Sequence, residues 1–401
     1  MTAAPYVFRA AGDGRREANA ATVLRTVLDH GPVARRTIAD LSGLSPAAVS
    51  RQCTDLVERG LLRELAGRDA VTKVGRPQIP VDLHTGESTG PVVGGVHIGV
   101  PSSTFGLVDL RGRLLARRTL PDDGTDPGAR AHRIARGLRS FLADAAPGRR
   151  LLGVGAALGG WVDPGTGTAV RHDALGWRQR PLAVELGRDL GGFRVRVDNH
   201  ARAVAQSEIL FGRPAARRSL VHLFVGNVVD AAFGIAGVVH QGPGSRAGDV
   251  AHLPVPDSTA GCPCGRSGCL EATASNTALA RTAVRRGIVP DADAFLVVDA
   301  AAAGDRRADR LLRERARAVG RALALLLDVL NPDVVVVTEH ASLVHPDYLE
   351  EIRGAAVDLS HVCRDPERIV SPHAGTAVLP VAAATVVLNP LFRSPLAADG
   401  G

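Results

Sequence analysis

The sequence predicts an α/β protein in two parts: a small winged helix-turn-helix, then a larger α/β body that looks duplicated. Three observations carry that expectation. The 401 residues exceed what one ordinary domain holds. The first 80 residues contain three short helical patterns and a strand-and-loop stretch. The remainder alternates strand-rich and helical blocks, and the alternation runs twice.

In chain order, residues 1–18 are small and polar and are expected to form a loose arm. Residues 19–80 carry the winged helix-turn-helix, 81–92 a linker, and 93–401 the body with two lobes. Val23, Leu24, Val27 and Leu28 fall on one helical face, and Gly31-Pro32 stops that helix. A second helix spans about 34–41, and Ser42-Gly43-Leu44 turns the chain. Ser45 before Pro46 reads as the N-cap and first position of a third helix that ends at Gly60. Residues 61–65 read as a strand, followed by a polar wing to Gly75-Arg76-Pro77. In the body, 92–100 with 104–108 and 220–225 with 231–239 read as two strand-turn-strand units. Each is followed by helices, and 334–338 reads as a late strand in a βαβ-like setting.

Hydrophobic residues at 45% and charged residues at 22% describe a globular chain with ample material for a core. Lys73 is the only lysine, an arginine bias that reflects coding and carries no functional meaning. The net charge of +7 is compatible with nucleic-acid binding without establishing it. Arg9, Asp13, Arg15, Arg16 and Glu17 break any apolar leader. No uncharged apolar run of about 18 residues stands out, so no membrane span is expected and the expected location is the cytoplasm.

The segment 34–60 has the helix, glycine turn and helix of a helix-turn-helix. Its third helix would enter the major groove of double-stranded DNA with Ser45, Ala47, Ala48, Ser50, Arg51 and Gln52 outward. Small residues permit close approach, while Arg51 and Gln52 can reach guanine or adenine edges. Arg35 and Arg36 would meet the backbone, and Arg76 on the wing suits a narrow minor groove. Serines and arginines on a helix face also suit a protein-interaction module. The basic flanks and basic wing tip favour DNA.

The chain holds five cysteines, and Cys262, Cys264 and Cys269 lie within eight residues. That spacing argues for a metal site over a disulfide framework. With His252 they make three thiolates and one imidazole, a complete tetrahedral set for a structural Zn²⁺. Gly265 and Gly268 permit the tight turns needed, and a set of buried or redox cysteines is the other reading. Cys53 and Cys363 are expected to be ordinary buried residues.

These pieces together resemble the ROK family of repressors and sugar kinases. The resemblance rests on Gly75-Arg76-Pro77, Leu175-Gly176-Trp177, Asp249-Val250-Ala251-His252 and the cysteine knuckle through Glu271, in the family's order. It implies an actin-like ATPase body of two α/β lobes with a ligand cleft between them, assembled as a dimer or tetramer. A kinase of this kind would need a carboxylate base, which the family's Asn-Asp-Ala-Asn supplies; here the run is Asn199-His200-Ala201-Arg202. The first phosphate turn reads His97-Ile98-Gly99-Val100-Pro101 and the second Gly226-Asn227-Val228-Val229-Asp230. The late glycine pair is replaced by Thr338-Glu339. All the nucleotide elements have decayed together, so no catalytic residue is expected.

The resemblance places Asn199, His200, Asp249, His252 and Glu271 around an effector in the cleft, a sugar-like or other small molecule. Ala174 replaces a family Asn, so a common hexose is not implied. The cleft either binds such a molecule or is filled by its own side chains. The expected function is a homo-oligomeric regulator, a repressor, that binds a pseudo-palindromic operator; the alternative is a sugar kinase that also binds DNA.

Overall fold

The computed structural model describes residues 11–65, 79–86, 89–122, 124 and 126–397. The reader domain runs α1 (Ala11–His30), β1 (Val33–Ala34), α2 (Arg35–Ser42), α3 (Pro46–Glu58), β2 (Leu62–Glu64) and β3 (Pro80–Leu83). Its sheet has the order β1-β3-β2. The wing tip with Gly75, Arg76 and Pro77 lies outside the described residues.

Two boundary expectations are corrected. Helix α1 begins at Ala11, inside the segment expected as a loose arm. The Ala, Glu and Arg content there favours helix. Arg16 also reaches Asp55 on α3 at 2.9 Å, and Glu17 accepts from the Leu396 N–H at 2.8 Å. The expected linker 81–92 is instead largely packed: β3 occupies its start, and Val81 and Leu83 are buried. Arg111 of the body donates to the carbonyls of Leu28 and Gly31, at 3.1 and 3.4 Å, and pairs with Asp82. Reader residues Leu24, Val27, Ile38 and Leu56 share one apolar cluster with Val93, Leu110 and Leu388 of the body.

The first lobe contains β4 (Val92–Ile98), β5 (Ser102–Asp109), β6 (Leu114–Pro121), α4 (Pro127–Ala145) and β7 (Leu151–Leu158). It continues through a small sheet of β8 (Trp161–Asp163), β9 (Thr168–His172) and β10 (Trp177–Arg180) to α5 (Leu182–Asp189), β11 (Val195–Asn199) and α6 (His200–Phe211). The second lobe contains β12 (Ser219–Val225), β13 (Val229–Ile235), β14 (Val238–Val239) and the helices α7 (Leu270–Ala274), α8 (Asn276–Arg285), α9 (Ala294–Ala302) and α10 (Arg306–Leu330). It ends with β15 (Val334–Glu339), α11 (His340–Val344), α12 (Pro346–Leu359), β16 (Ile369–Val370) and α13 (Val378–Arg393).

The two main sheets have the same plan, β11-β7-β4-β5-β6 and β14-β13-β12-β15-β16. In each, an antiparallel meander joins two further strands that run parallel to its first strand. Helix α13 lies on β4, β5 and β7 and against α6, which in turn packs on β12 and β13. These two helices therefore join the lobes. Contrary to the expectation that no such apolar run exists, the segment Gly375–Arg393 is long and apolar enough to cross a membrane. Most of it is buried, as befits the core helix it is here.

Close seating of α13 depends on a row of glycines. Gly106, Gly95 and Gly155 are directly paired across β5, β4 and β7. A Cβ at Gly155 would lie 1.9 Å from the Ala383 carbonyl oxygen, and one at Gly95 2.5 Å from that of Pro380. Gly155→Ala is expected to push α13 off the sheet, at a cost of roughly 1–3 kcal/mol. Urea denaturation checks this, and an unchanged midpoint would show that the helix gives way freely.

Candidate DNA-reading face, metal centre and inter-lobe cleft

Gly43 closes α2 in the left-handed conformation, φ 70°, and its N–H bonds the Ala39 carbonyl at 3.0 Å. Ser45 then caps α3, its hydroxyl accepting from the Ala48 N–H at 3.3 Å with Pro46 at the first helical position. Along α3 the exposed residues are Pro46, Ala47, Ser50, Arg51, Thr54 and Glu58. Ala48 and Gln52 do not belong to that face. They are 8% and 4% exposed and point toward the reader core, because α3 buries the stripe Ala48-Val49-Gln52-Cys53-Leu56. Arg36 is exposed, whereas Arg35 spans to Glu64 on β2 at 2.6 Å and to Ser50 at 3.4 Å. A groove beside Ser50 and Arg51 is also lined by Arg15 and Arg16 of α1. Both arginines lie in the segment expected as an arm, and the helix-forming run around them is the signal that places them on α1.

The metal-site residues converge. His252, Cys262, Cys264 and Cys269 offer ligand atoms that all lie within 4.8 Å of one another. The Cys262 Sγ to His252 Nδ1 distance is 3.6 Å, and Cys264 Sγ to Cys269 Sγ is 3.7 Å. Zinc bonds of about 2.3 Å to sulfur and 2.0–2.1 Å to nitrogen give tetrahedral edges of roughly 3.5 and 3.8 Å, so the donor set fits. Left-handed Gly265 and Gly268 turn the loop, with φ of 87° and 74°, and Cys262 N–H bonds the Arg266 carbonyl at 2.9 Å. The Arg266 guanidinium beside Cys264 lowers that thiol to about 6, whereas burial pushes the Cys269 thiol up to about 11. The Leu270 N–H bonds the Leu253 carbonyl at 2.8 Å and the Glu271 N–H bonds that of Ala251 at 2.9 Å. The knuckle thereby holds His252 beside Glu271.

Between the lobes lies an open cavity of about 480 Å³. Asn199, Asp249, His252 and Glu271 line it, as the resemblance implied. His200 does not. It is 3% exposed and packs between His97, with ring centroids 5.6 Å apart, and Phe224 at 3.8 Å. As the first residue of α6 its side chain is drawn under the cavity wall. The carboxylate beside Asn199 comes instead from Asp230. Asp230 accepts from Asn199 Nδ2 and from the Gly160 N–H, each at 3.1 Å, and lies 3.0 Å from His200 Nε2. Burial raises its pKa, but His200 and these donors outweigh that and hold it below the usual carboxylate range. Glu271 is pushed above its ordinary value, first by burial, while its Oε2 accepts from the Val229 N–H at 3.1 Å.

Sequence reasoning missed further residues of this cavity. Trp161 donates to the Gly244 carbonyl at 2.8 Å, and the Arg246 guanidinium sits 4.4 Å from its ring centroid. Arg202 donates to Asp198 at 2.7 Å and to the carbonyls of Ser245 and Val162 at 2.9 Å, tying the two lobes at the cavity edge. A Trp-Arg pair across a glycine-rich loop has no short-range signature.

The ROK family model matches residues 93–374. The chain belongs to the ROK family. A MarR family model matches residues 17–70, the reader. A transcriptional regulator of Mycobacterium tuberculosis is 36% identical over 394 residues, covering 94% of this chain and 87% of that one. The solved structure of a ROK family transcriptional regulator, a homologue of the Escherichia coli MLC protein, aligns with TM-score 0.77 and 21% identity, over 97% of this chain and 100% of the other. A ROK family glucokinase from Streptomyces griseus, solved with glucose and AMPPNP, aligns with TM-score 0.63 and 26% identity, over 73% of this chain and 98% of the other.

Within this ROK body the segments that the resemblance implied as nucleotide turns carry buried side chains paired within the chain. Burial holds His97, on the first turn, down at about 3 and therefore neutral. Glu339, on the late turn, pairs with Arg315 at 2.5 Å and caps α11 through the N–H groups of Ala341 and Ser342, at 3.0 and 2.8 Å. Arg315 completes the cluster by donating to the Ala274 carbonyl and to Asn276, at 2.7 and 2.8 Å.

Proposed function

We propose that this ROK chain is a DNA-binding transcriptional regulator, acting as a repressor, whose body senses a small effector and transfers no phosphate. The observation that carries the reading is the pairing of an exposed, capped recognition helix with nucleotide turns filled by Asp230 and by the Glu339–Arg315 pair. Ala47, Ser50 and Arg51 would face base edges, and Arg15, Arg16 and Arg36 the phosphates. Arg76 would serve the minor groove. The relative's name as a transcriptional regulator supports the reading.

His252, Cys262, Cys264 and Cys269 would hold a structural zinc, which supplies a four-coordinate staple with no open position for water. The cavity is open, which supports an effector over a vestigial cleft. Asn199, Asp230, Asp249 and Glu271 offer the acceptors and donors that a polyol needs, so a sugar-like ligand fits. The bound glucose of the similar glucokinase favours the same class. A homo-oligomer in the cytoplasm, reading a pseudo-palindromic operator, completes the proposal.

A gel shift with duplexes from the protein's own promoter region tests it. Arg51→Ala is expected to weaken specific binding by about 1–3 kcal/mol, with a shallower salt dependence if Arg51 meets phosphate. Retardation that is absent, or insensitive to salt and to Arg51→Ala, would sink the DNA reading. A coupled ATPase assay across a sugar panel is expected to stay at background, and turnover would restore the kinase alternative.

A further inference from the structure

A second cavity, of about 550 Å³, opens where the C-terminal end of α3 meets the body. Arg59 of the reader and Arg150, Arg194, Arg196 and Arg393 of the body line it, with Asp198 as the acid among them. That carboxylate is already engaged by Arg202 at 2.7 Å, by Gln206 at 2.9 Å and by the Asn199 N–H at 2.7 Å. It leaves Arg194, Arg196 and Arg393 without a counter-charge among the described residues. Arg150 donates to the Arg59 carbonyl at 2.5 Å, which pins the seam between the two parts. Among the described residues, the guanidiniums of Arg194, Arg196 and Arg393 make no hydrogen bond or ion pair.

This departs from the chain's habit. Elsewhere the partly buried arginines Arg111, Arg130, Arg202 and Arg315 each hold a carboxylate. Arg196 is half-buried on β11, and both that burial and the like charge of Arg194 lower its pKa. Three cations gathered on one cavity wall, Arg196 among them part-desolvated, with no counter-ion are the complement of a bound anion. Leu152 and Leu391 add apolar wall, which suits an organic molecule carrying the anion. The volume is that of a small-ligand site. The reading end of α3 lies about 20 Å away along its 13 residues, so DNA held there does not pass through this cavity.

We propose that this junction is a second ligand site, for a small phosphorylated metabolite, which bridges reader and body through Arg194, Arg196 and Arg393. Inorganic phosphate, titrated into the full-length chain at constant ionic strength, is the probe. Phosphate is expected to raise the melting temperature above the value in matched sodium chloride. The Arg194→Gln/Arg196→Gln variant, checked for native circular dichroism, is expected to bind phosphate about tenfold more weakly or less and to lose that rise. Arg393→Gln, at the exposed end of α13, is expected to reduce it in parallel and serves if the double variant misfolds. Equal responses of wild type and variants, or no response of the wild type, overturn the proposal. So does a double variant that loses only duplex binding, since the arginines would then serve DNA. Phosphate binding is read without any operator, so its failure leaves the regulator reading standing.

Discussion

Cys269→Ser is expected to yield a chain that retains no stoichiometric zinc and is destabilised by about 4 kcal/mol or more. Loss of a structural metal belongs to the few single changes with effects this large. The reason lies in what the knuckle holds. Cys269 is 2% exposed, occupies the position just before α7 and stands next to the two backbone bonds that bind 269–271 to 251–253. Released, the loop would leave a buried hydroxyl at position 269 without a metal partner and free His252 from its place beside Glu271, so effector response should fail with stability. Metal analysis of purified protein and calorimetric melting, with and without a chelator, give the answer. A wild-type chain that carries no metal, and melts as Cys269→Ser does, would falsify the zinc assignment.

Glu339→Ala is the second change with a large expected effect, roughly 3–5 kcal/mol. Removing one member of a buried ion pair leaves the other charge desolvated and alone. Arg315 is 6% exposed, and burial lowers its pKa, the direction expected of a cation that water no longer reaches. Glu339 also caps α11 through two N–H groups, so the loss includes a helix terminus. Glu339→Gln keeps the capping oxygen and should fall between the two. Denaturant midpoints measure this directly, and a Glu339→Ala midpoint within 1 kcal/mol of wild type would show that the pair contributes little. No variant at this position should gain ATP affinity, because His97 and Asp230 still occupy the other two turns.

The knuckle was legible because its chemistry is local. Three cysteines, two turn-forming glycines and a histidine ten residues upstream have few ways to meet except around one point. The reader was legible for a similar reason: Gly43, Ser45 and Pro46 announce a turn and a capped helix start in adjacent residues. The cleft was legible only in part. His200 stood where a family acid belongs, and the sequence alone assigned it the acid's position. The structure buries it against His97 and Phe224 and draws Asp230 in beside Asn199 from 31 residues downstream.

By itself, the sequence determined the order of elements, the helix-turn-helix with its capped third helix, and the histidine and three cysteines that converge in one cluster. These depend on backbone preferences and side-chain chemistry acting within one or two turns of chain. Only the tertiary structure decided the phase of α3, which turned Ala48 and Gln52 inward, and the seating of α13 on Gly106, Gly95 and Gly155. It alone replaced His200 by Asp230 in the cavity and gathered arginines from positions 59 to 393 at the reader–body junction. The physical reason is that sheet register and helix packing set these neighbours. Both are chosen by the burial of the whole core, which no short window of sequence contains.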